Sequence, residues 1–276
     1  MARQKRIALI NDITGFGRCS VTVQLPLISA MRVQACPLPT AILSVHTGFP
    51  NHYLDDYTER MRPYMENWAA NALEFDAILT GFLGSERQIE VVLECIARFK
   101  QRTTQLVVDP VMGDNGSLYS SYTPALCAKM RQLLPQADVV TPNLTEACQL
   151  LGADYPTGGL VTEDELARMA AAIAAMGPRT VIITGLHADE NVRTYLYADG
   201  CGRSFDNPKV GRDRSGAGDA FSAIIAAALV RGIPLAEGVP RAADFIGHCL
   251  TYAEELDLPW NHGLPFEEFM GELTEL

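Results

Sequence analysis

The sequence predicts an α/β fold in which helices cover both faces of a mostly parallel central sheet. Short apolar runs of buried-strand type alternate along the chain with segments of helical period. Polar residues collect where those runs end, as they do at the carboxyl edge of a parallel sheet, where ligands bind. No internal repeat, low-complexity tract or break in composition interrupts this rhythm, so residues 1–276 read as a single domain.

Each element has its own signal. Arg6 to Ile10 is a short apolar run that stops at Asn11, Asp12 and the Gly15-Phe16-Gly17 turn, a strand opening into a loop. Val21 to Met31 reads as a helix and Pro37 to Leu43 as a strand, with Ser44 to Gly48 at its end. Tyr57, Met61, Tyr64 and Trp68 give helical spacing to Leu54–Ala72, which Pro63 should bend or divide. Phe75 to Thr80 is a strand, Gly81 to Ser85 a loop, Glu86 to Lys100 a helix and Leu106 to Val108 a strand ending at Asp109-Pro110. Asp114 to Thr123, rich in Gly, Ser and Tyr, is a candidate flap over a bound ligand. Ala137 to Val140 is a strand closed by Thr141-Pro142-Asn143, and Leu144 to Leu151 is a helix. Thr162 and Glu165 form a capping box for an Ala-rich helix reaching Met176, and Thr180 to Thr184 is again a buried strand. Two strands, Val192–Ala198 and Cys201–Phe205, flank Asp199-Gly200, a hairpin signal. Helices over Gly216–Arg231 and Leu235–Glu254 follow, and Phe266, Phe269 and Leu273 mark a last short helix.

Composition removes several classes of function. The net charge is −11 and basic residues cluster only between Arg3 and Arg6, which argues against nucleic acid as a partner. The seven cysteines form no Cys-x-x-Cys pair, so neither a disulfide framework nor a zinc cluster is expected and a reducing cytoplasm fits. The apolar run after Arg6 is too short for a secretory leader, and none is long enough to cross a membrane. The sequence contains no Gly-x-x-x-x-Gly-Lys-Ser/Thr loop, no Gly-x-Gly-x-x-Gly after the first strand, no Gly-x-Ser-x-Gly and no metal spacing among the histidines.

What remains is the stretch Asp213-Arg-Ser-Gly-Ala-Gly-Asp-Ala-Phe221 ahead of an apolar helix. Gly216 and Gly218, on either side of Ala217, let the backbone bring unpaired amides close to a ligand where a helix begins, a position that favours an anion such as phosphate. Asp219, one residue on, is placed to take a proton from an attacking hydroxyl, or else is an ordinary first-turn acid. Asp109 and Glu146, with Asn143 beside them at neighbouring strand ends, are candidates to share Mg²⁺ and surround a phosphate. With so little positive charge in the chain, amides and a divalent cation must neutralise the phosphates.

These residues resemble a known family. Gly216-Ala217-Gly218-Asp219 is similar to the anion-hole signature of the ribokinase superfamily, and Val108-Asp109-Pro110-Val111-Met112-Gly113 with Thr141-Pro142-Asn143-Leu144-Thr145-Glu146 resembles its vitamin-kinase branch. His46-Thr47-Gly48 and Gly81-Phe82-Leu83-Gly84-Ser85 are similar to segments lining the pyridine pocket of pyridoxal kinases. The resemblance implies a ribokinase-like three-layer α/β/α sandwich without a separate lid domain, a homodimer, and MgATP-dependent phosphorylation of the hydroxymethyl group of pyridoxal, pyridoxine or pyridoxamine. It implies Asp219 as base and Gly216, Ala217 and Gly218 as anion hole. Asp109, Asn143, Glu146, Thr184 and Ser215 would serve nucleotide and metal, and Asn11, His46, Thr47 and Phe82 would face the vitamin.

The first loop departs from pyridoxal kinases. Asp12 and Gly15 are similar to hydroxymethylpyrimidine kinases of thiamine synthesis, many of which carry Cys where this chain has Asp219. A pyrimidine substrate and a non-catalytic vitamin- or nucleotide-binding protein therefore stay open beside the B6 reading. Arg212 and Arg214 read as surface residues within reach of a phosphate, and Asp213 leaves a monovalent cation open.

Overall fold

The computed structural model describes residues 3–275. The chain opens with β1 (Arg6–Phe16), α1 (Val21–Ala30), β2 (Gln34–Val45) and β3 (Leu54–Asp56), then α2 (Thr58–Ala70), β4 (Ala77–Thr80) and α3 (Glu86–Phe99). It continues through β5 (Gln105–Val108), the small hairpin of β6 (Gly113–Asp114) and β7 (Ser117–Leu118), α4 (Pro124–Met130), β8 (Val139–Val140), α5 (Leu144–Leu151) and α6 (Glu163–Ala174). The last third holds β9 (Thr180–Ala188), β10 (Asn191–Ala198), β11 (Cys201–Pro208), α7 (Ala217–Arg231) and α8 (Leu235–Glu255), before a 3₁₀ segment over Glu267–Glu275.

Nine strands form one sheet in the order β11-β10-β9-β8-β5-β4-β1-β2-β3. The run from β9 to β2 is parallel throughout, while β3, β10 and β11 are antiparallel edges. Side chains alternate across it. Ile7, Leu9, Leu79, Val107 and Ile182 pack against α1, α7 and α8, whereas Ala8, Ile10, Ile78, Val108 and Ile183 pack against the layer from α2 to α6. Continuous apolar strands are what burial on both faces requires, and the three layers follow. No lid sheet intervenes between β1 and α1, since only residues 17–20 separate them.

Two local expectations are corrected. The segment read as a loop after Ile10 continues β1 to Phe16, paired with β2 as far as Val45, with a register shift between Asn11 and Ile13. The partner strand satisfies its amides, and tertiary pairing outweighs local turn chemistry. The second is Leu54–Ala72, which is an edge strand followed by one uninterrupted helix. Asp56 accepts from the Thr58 amide at 2.8 Å and starts α2, which then runs through Pro63. The candidate flap from Asp114 to Thr123 contains the tight β6–β7 turn, and residues 124–136 beyond it form α4 and a 3₁₀ turn (Arg131–Gln136).

Candidate active site

The carboxyl ends of β1, β4, β5, β8 and β9 lie along one edge, and the start of α7 faces them. Gly216 caps α7 with φ 88°, a left-handed conformation that favours glycine. A Cβ there would stand 2.0 Å from the carbonyl oxygen of Arg18, so this turn fits against the connection between β1 and α1 only without a side chain. Ala217 N–H reaches the Arg214 carbonyl at a long 3.4 Å, and Ala220 N–H donates to the Gly216 carbonyl at 2.8 Å. Between them the amides of Gly218 and Asp219 have no acceptor among the described residues. A Cβ on Gly218 would meet nothing within 4 Å. Two free amides at the positive end of a fifteen-residue helix, beside open space, make an anion site.

Asp219 borders that site and is held from below. Its Oδ1 accepts from Asn11 Nδ2 at 3.0 Å and its Oδ2 from the Ser20 amide at 2.8 Å. Burial pushes its pKa up to about 6, against these two bonds, and the nearby Asp12 charge adds to the rise. Such an acid is ionised at neutral pH yet basic enough to accept a proton. Asn11 is itself fully engaged. Its Nδ2 also donates to Gln24 Oε1 at 2.9 Å, while its Oδ1 accepts from the amides of Asp12 at 2.9 Å and Phe82 at 2.8 Å. Gly81 permits this, because a Cβ there would fall 2.4 Å from the Asn11 amide group.

The second group surrounds the start of α5. Asn143 Oδ1 accepts from the Glu146 amide at 2.9 Å and Glu146 Oε2 accepts from the Asn143 amide at 2.9 Å, a reciprocal capping box. Glu146 Oε1 accepts from Met112 N–H at 3.1 Å, and Asn143 Nδ2 donates to the Gly113 carbonyl at 2.8 Å. Burial pushes the Glu146 pKa up to about 8 despite those amides. Asp109, at the end of β5, is also buried. Burial first, then the Glu146 and Asp219 charges, hold its pKa well above the carboxylate range. Thr184 bridges to Asn143 across the β8 and β9 ends, with its amide donating to the Pro142 carbonyl at 2.9 Å.

The third group joins β2 to the turn before α7. His46 Nε2 lies 2.8 Å from the Asn261 carbonyl and 3.1 Å from Ser215 Oγ, and Gly48 N–H donates to Nδ1 at 3.0 Å. Thr47 is exposed on the same turn. Phe82 is half-buried, its ring edge-on to Tyr122 at 5.9 Å.

Asn11, Asp219, Gly216, Ala217 and Gly218 thus form one cluster, Asp109, Asn143, Glu146 and Thr184 another along the same edge, and His46 with Ser215 a third. Arg214 corrects its surface reading. It is 7% exposed, with Nη1 on the carbonyls of Leu258 at 2.9 Å and Pro259 at 3.1 Å and Nη2 on Glu254 at 3.0 Å. Its charge anchors the loop after α8 instead of facing a phosphate. Arg212 stays exposed, and Asp213 accepts from Asn115 Nδ2 at 3.3 Å. Sequence reasoning missed Ser20, Gln24 and Ser222, which support Asn11 and Asp219. Gln24 had a signal: it is a polar residue inside the apolar run from Val21 to Leu27.

An anion-binding helix start next to an ionisable acid is what phosphoryl transfer to a hydroxyl requires. The sequence pattern of the phosphomethylpyrimidine kinase family matches residues 24–263. The chain belongs to this family. This kinase is 30% identical over 254 residues to the hydroxymethylpyrimidine/phosphomethylpyrimidine kinase of Rhizobium meliloti (strain 1021), with 90% of the chain and 91% of the relative covered. It is 31% identical over 260 residues, 91% of the chain, to the chloroplastic thiamine biosynthetic bifunctional enzyme of Arabidopsis thaliana, of whose length it spans 47%. Among solved structures, it superposes with a TM-score of 0.92 and 35% identity on a Bacteroides thetaiotaomicron protein assigned as a phosphomethylpyrimidine kinase and crystallised with pyridoxal, over 99% of the chain and 96% of that protein. The pyridoxal kinase of Staphylococcus aureus in complex with AMP-PCP matches with a TM-score of 0.77 and 25% identity, over 91% and 89% of the two chains. The relatives of this small-molecule kinase divide between B6 and thiamine-precursor kinases.

Proposed function

We propose that this kinase transfers the γ-phosphoryl group of ATP to the hydroxymethyl group of a B6 vitamer, pyridoxal, pyridoxine or pyridoxamine. The observation that carries the proposal is Asp219, an acid of pKa about 6 beside two unpartnered amides at the start of α7. The relative crystallised with pyridoxal supports the vitamer class. A pyrimidine substrate is the second reading, favoured by the near full-length match to the Rhizobium meliloti kinase and by Asp12 in the first segment.

In the proposed reaction Asp219 takes the hydroxyl proton as the substrate oxygen bonds to the γ-phosphorus, and the bond from that phosphorus to the ADP oxygen breaks. The amides of Gly218 and Asp219 hold the charge on the migrating group, and Gly216, with Ala217 behind it, sets their direction. Asn11 orients the acid and Ser20 shares its charge. Asn11, His46, Thr47 and Phe82 border the vitamin side, Phe82 offering an aromatic face. Asn143, Thr184 and Ser215 lie on the nucleotide side.

A divalent cation suits the remaining acids. Burial raises the pKa of Asp109, Glu146 and Asp219, the Glu146 and Asp219 charges raise Asp109 further, and no Lys or Arg forms an ion pair with any of the three among the described residues. The described residues hold no cluster of three or more ligating side chains, so phosphates and waters would have to complete the shell of an ion held there. Asp109 and Glu146 would hold Mg²⁺, which when bound supplies charge to neutralise the phosphates.

The test is ADP release with MgATP over a panel of pyridoxal, pyridoxine, pyridoxamine, hydroxymethylpyrimidine and ribose. Turnover on the B6 compounds is expected. Turnover on hydroxymethylpyrimidine alone would transfer the assignment to thiamine synthesis, and ligand binding without ADP would favour a non-catalytic binder.

A further inference from the structure

One closely held side chain on the vitamin side, His46, takes no part in the bond changes of the proposed reaction. His46 is closely packed on two sides by glycines: a Cβ on Gly17 would come 2.3 Å from its Cδ2, and one on Gly48 2.7 Å from its Cε1. Phe49 meets the ring edge-on at 4.9 Å and Trp260 at 6.2 Å. Its nitrogens are equally committed. The Gly48 amide is only a donor, so Nδ1 must be the acceptor and the neutral ring carries its proton on Nε2. That proton is shared between the Asn261 carbonyl and Ser215 Oγ.

The consequence falls on Ser215. A hydroxyl that accepts from Nε2–H has its own proton left to donate, and no acceptor for it exists among the described residues. Ser215 immediately precedes Gly216, the N-cap of α7, whose Gly218 and Asp219 amides have no acceptor among the described residues. The next residue back, Arg214, is tied to the Leu258 and Pro259 carbonyls, so the same loop after α8 that supplies the Asn261 carbonyl also fixes the backbone carrying Ser215.

The geometry points to His46 as a positioning residue that holds Ser215 Oγ as a hydrogen-bond donor toward the phosphoryl group at the α7 N-terminus. This rests on the kinase reading and deepens it: the histidine governs rate through Ser215 and has no nitrogen left to hydrogen-bond a vitamin. Its presence beside the vitamin pocket and its action on the anion hole are then one arrangement, in which the turn after β2, the turn before α7 and the loop after α8 meet at one imidazole.

The test compares wild type, His46→Phe, His46→Gln, Ser215→Ala and the His46→Phe/Ser215→Ala double variant on whichever vitamin the wild type turns over. His46→Phe and Ser215→Ala should each lower kcat about 10- to 100-fold, the worth of one hydrogen bond to a charged group. The double variant should be no worse than the poorer single one. KM for the vitamin should change less than about threefold in every variant. His46→Gln, whose amide nitrogen can occupy the Nε2 position, should recover most of the loss. A raised vitamin KM with kcat intact, or losses that multiply in the double variant, would overturn the inference. Long-range ¹H–¹⁵N spectra of His46 test it without turnover and so apart from the kinase reading. A neutral ring protonated on Nε2, with that resonance displaced in Ser215→Ala, is expected; a ring protonated on Nδ1, or an Nε2 resonance indifferent to Ser215, would refute it.

Discussion

Helices α5 and α7 both begin on the carboxyl edge of the same sheet, and their first turns are opposites. At α5, Asn143 and Glu146 answer each other's amides, and Glu146 also takes the Met112 amide. At α7 the cap is a glycine with no side chain to offer, and two amides stay free among the described residues. The finished end is scaffold that holds Glu146 in place; the unfinished end is where a ligand is needed. Both carry a carboxylate in the first turn, so a first-turn acid alone says little, and the state of the neighbouring amides separates the two roles.

The comparison breaks most directly at Asp219. Asp219→Ala should lower kcat by roughly 10²–10⁴-fold with ATP affinity, read by calorimetry, nearly unchanged. A kcat within threefold of wild type would remove the acid from the mechanism.

Next come the two glycines of α7, which should fail in different ways. Gly216→Ala places a side chain at φ 88° and 2.0 Å from a carbonyl oxygen, so it should lower Tm by the equivalent of about 2 kcal/mol or more and reduce activity with it. Gly218→Ala adds a methyl where the protein has nothing within 4 Å. It should fold with an unchanged Tm and show its defect only as a raised KM for ATP. Equal Tm losses in both would mean that the Gly218 space is not left for a ligand.

The acids of the two helix starts sharpen the contrast through pH. Glu146 and Asp219 have folded-state pKa values of about 8 and about 6, above their ordinary 4.5 and 3.8. Both are raised, so the folded state keeps protons that the unfolded chain has released. Their contribution is full at low pH and is lost as pH rises through those values. Ligand-free Tm should therefore decline between about pH 5 and 8. Glu146→Gln should flatten the upper part of that decline and raise the Mg²⁺ concentration for half-maximal rate. A wild-type Tm that climbs over this window, or an unaltered Mg²⁺ titration, would count against these assignments.

The smallest effect belongs to the finished helix end. Asn143→Ala removes one side-chain cap and should cost about 1 kcal/mol, visible as a modest fall in denaturation midpoint. No change would mean that the box does not hold α5.

Much of this was legible in the sequence because the signals were local. The Thr162 and Glu165 capping box starts α6 as the sequence predicts, and the Asp199-Gly200 turn joins β10 to β11, with both residues at positive φ. The Gly-Ala-Gly-Asp start of α7 announced itself through residue types that few other structures need. What stayed hidden depends on distant partners. Asn11 to Phe16 looks like a loop until β2 lies beside it, and Arg214 looks like a surface residue until the carbonyls of Leu258 and Pro259 fold over it. Neither contact leaves a mark in the neighbouring sequence. Asn11 was expected at the vitamin, and its four hydrogen bonds to Gln24, Asp219, Asp12 and Phe82 depend on three separate elements converging.

The central claim is that the unsatisfied start of α7 receives the phosphoryl group while Asp219 faces the acceptor hydroxyl. A crystal structure with a non-hydrolysable ATP analogue, Mg²⁺ and pyridoxal tests it most directly. The account predicts the γ-phosphate within hydrogen-bonding distance of the Gly218 and Asp219 amides and the Asp219 carboxylate against the hydroxymethyl oxygen. A triphosphate bound elsewhere on the sheet edge, with Asp219 turned away from the vitamin, would contradict it.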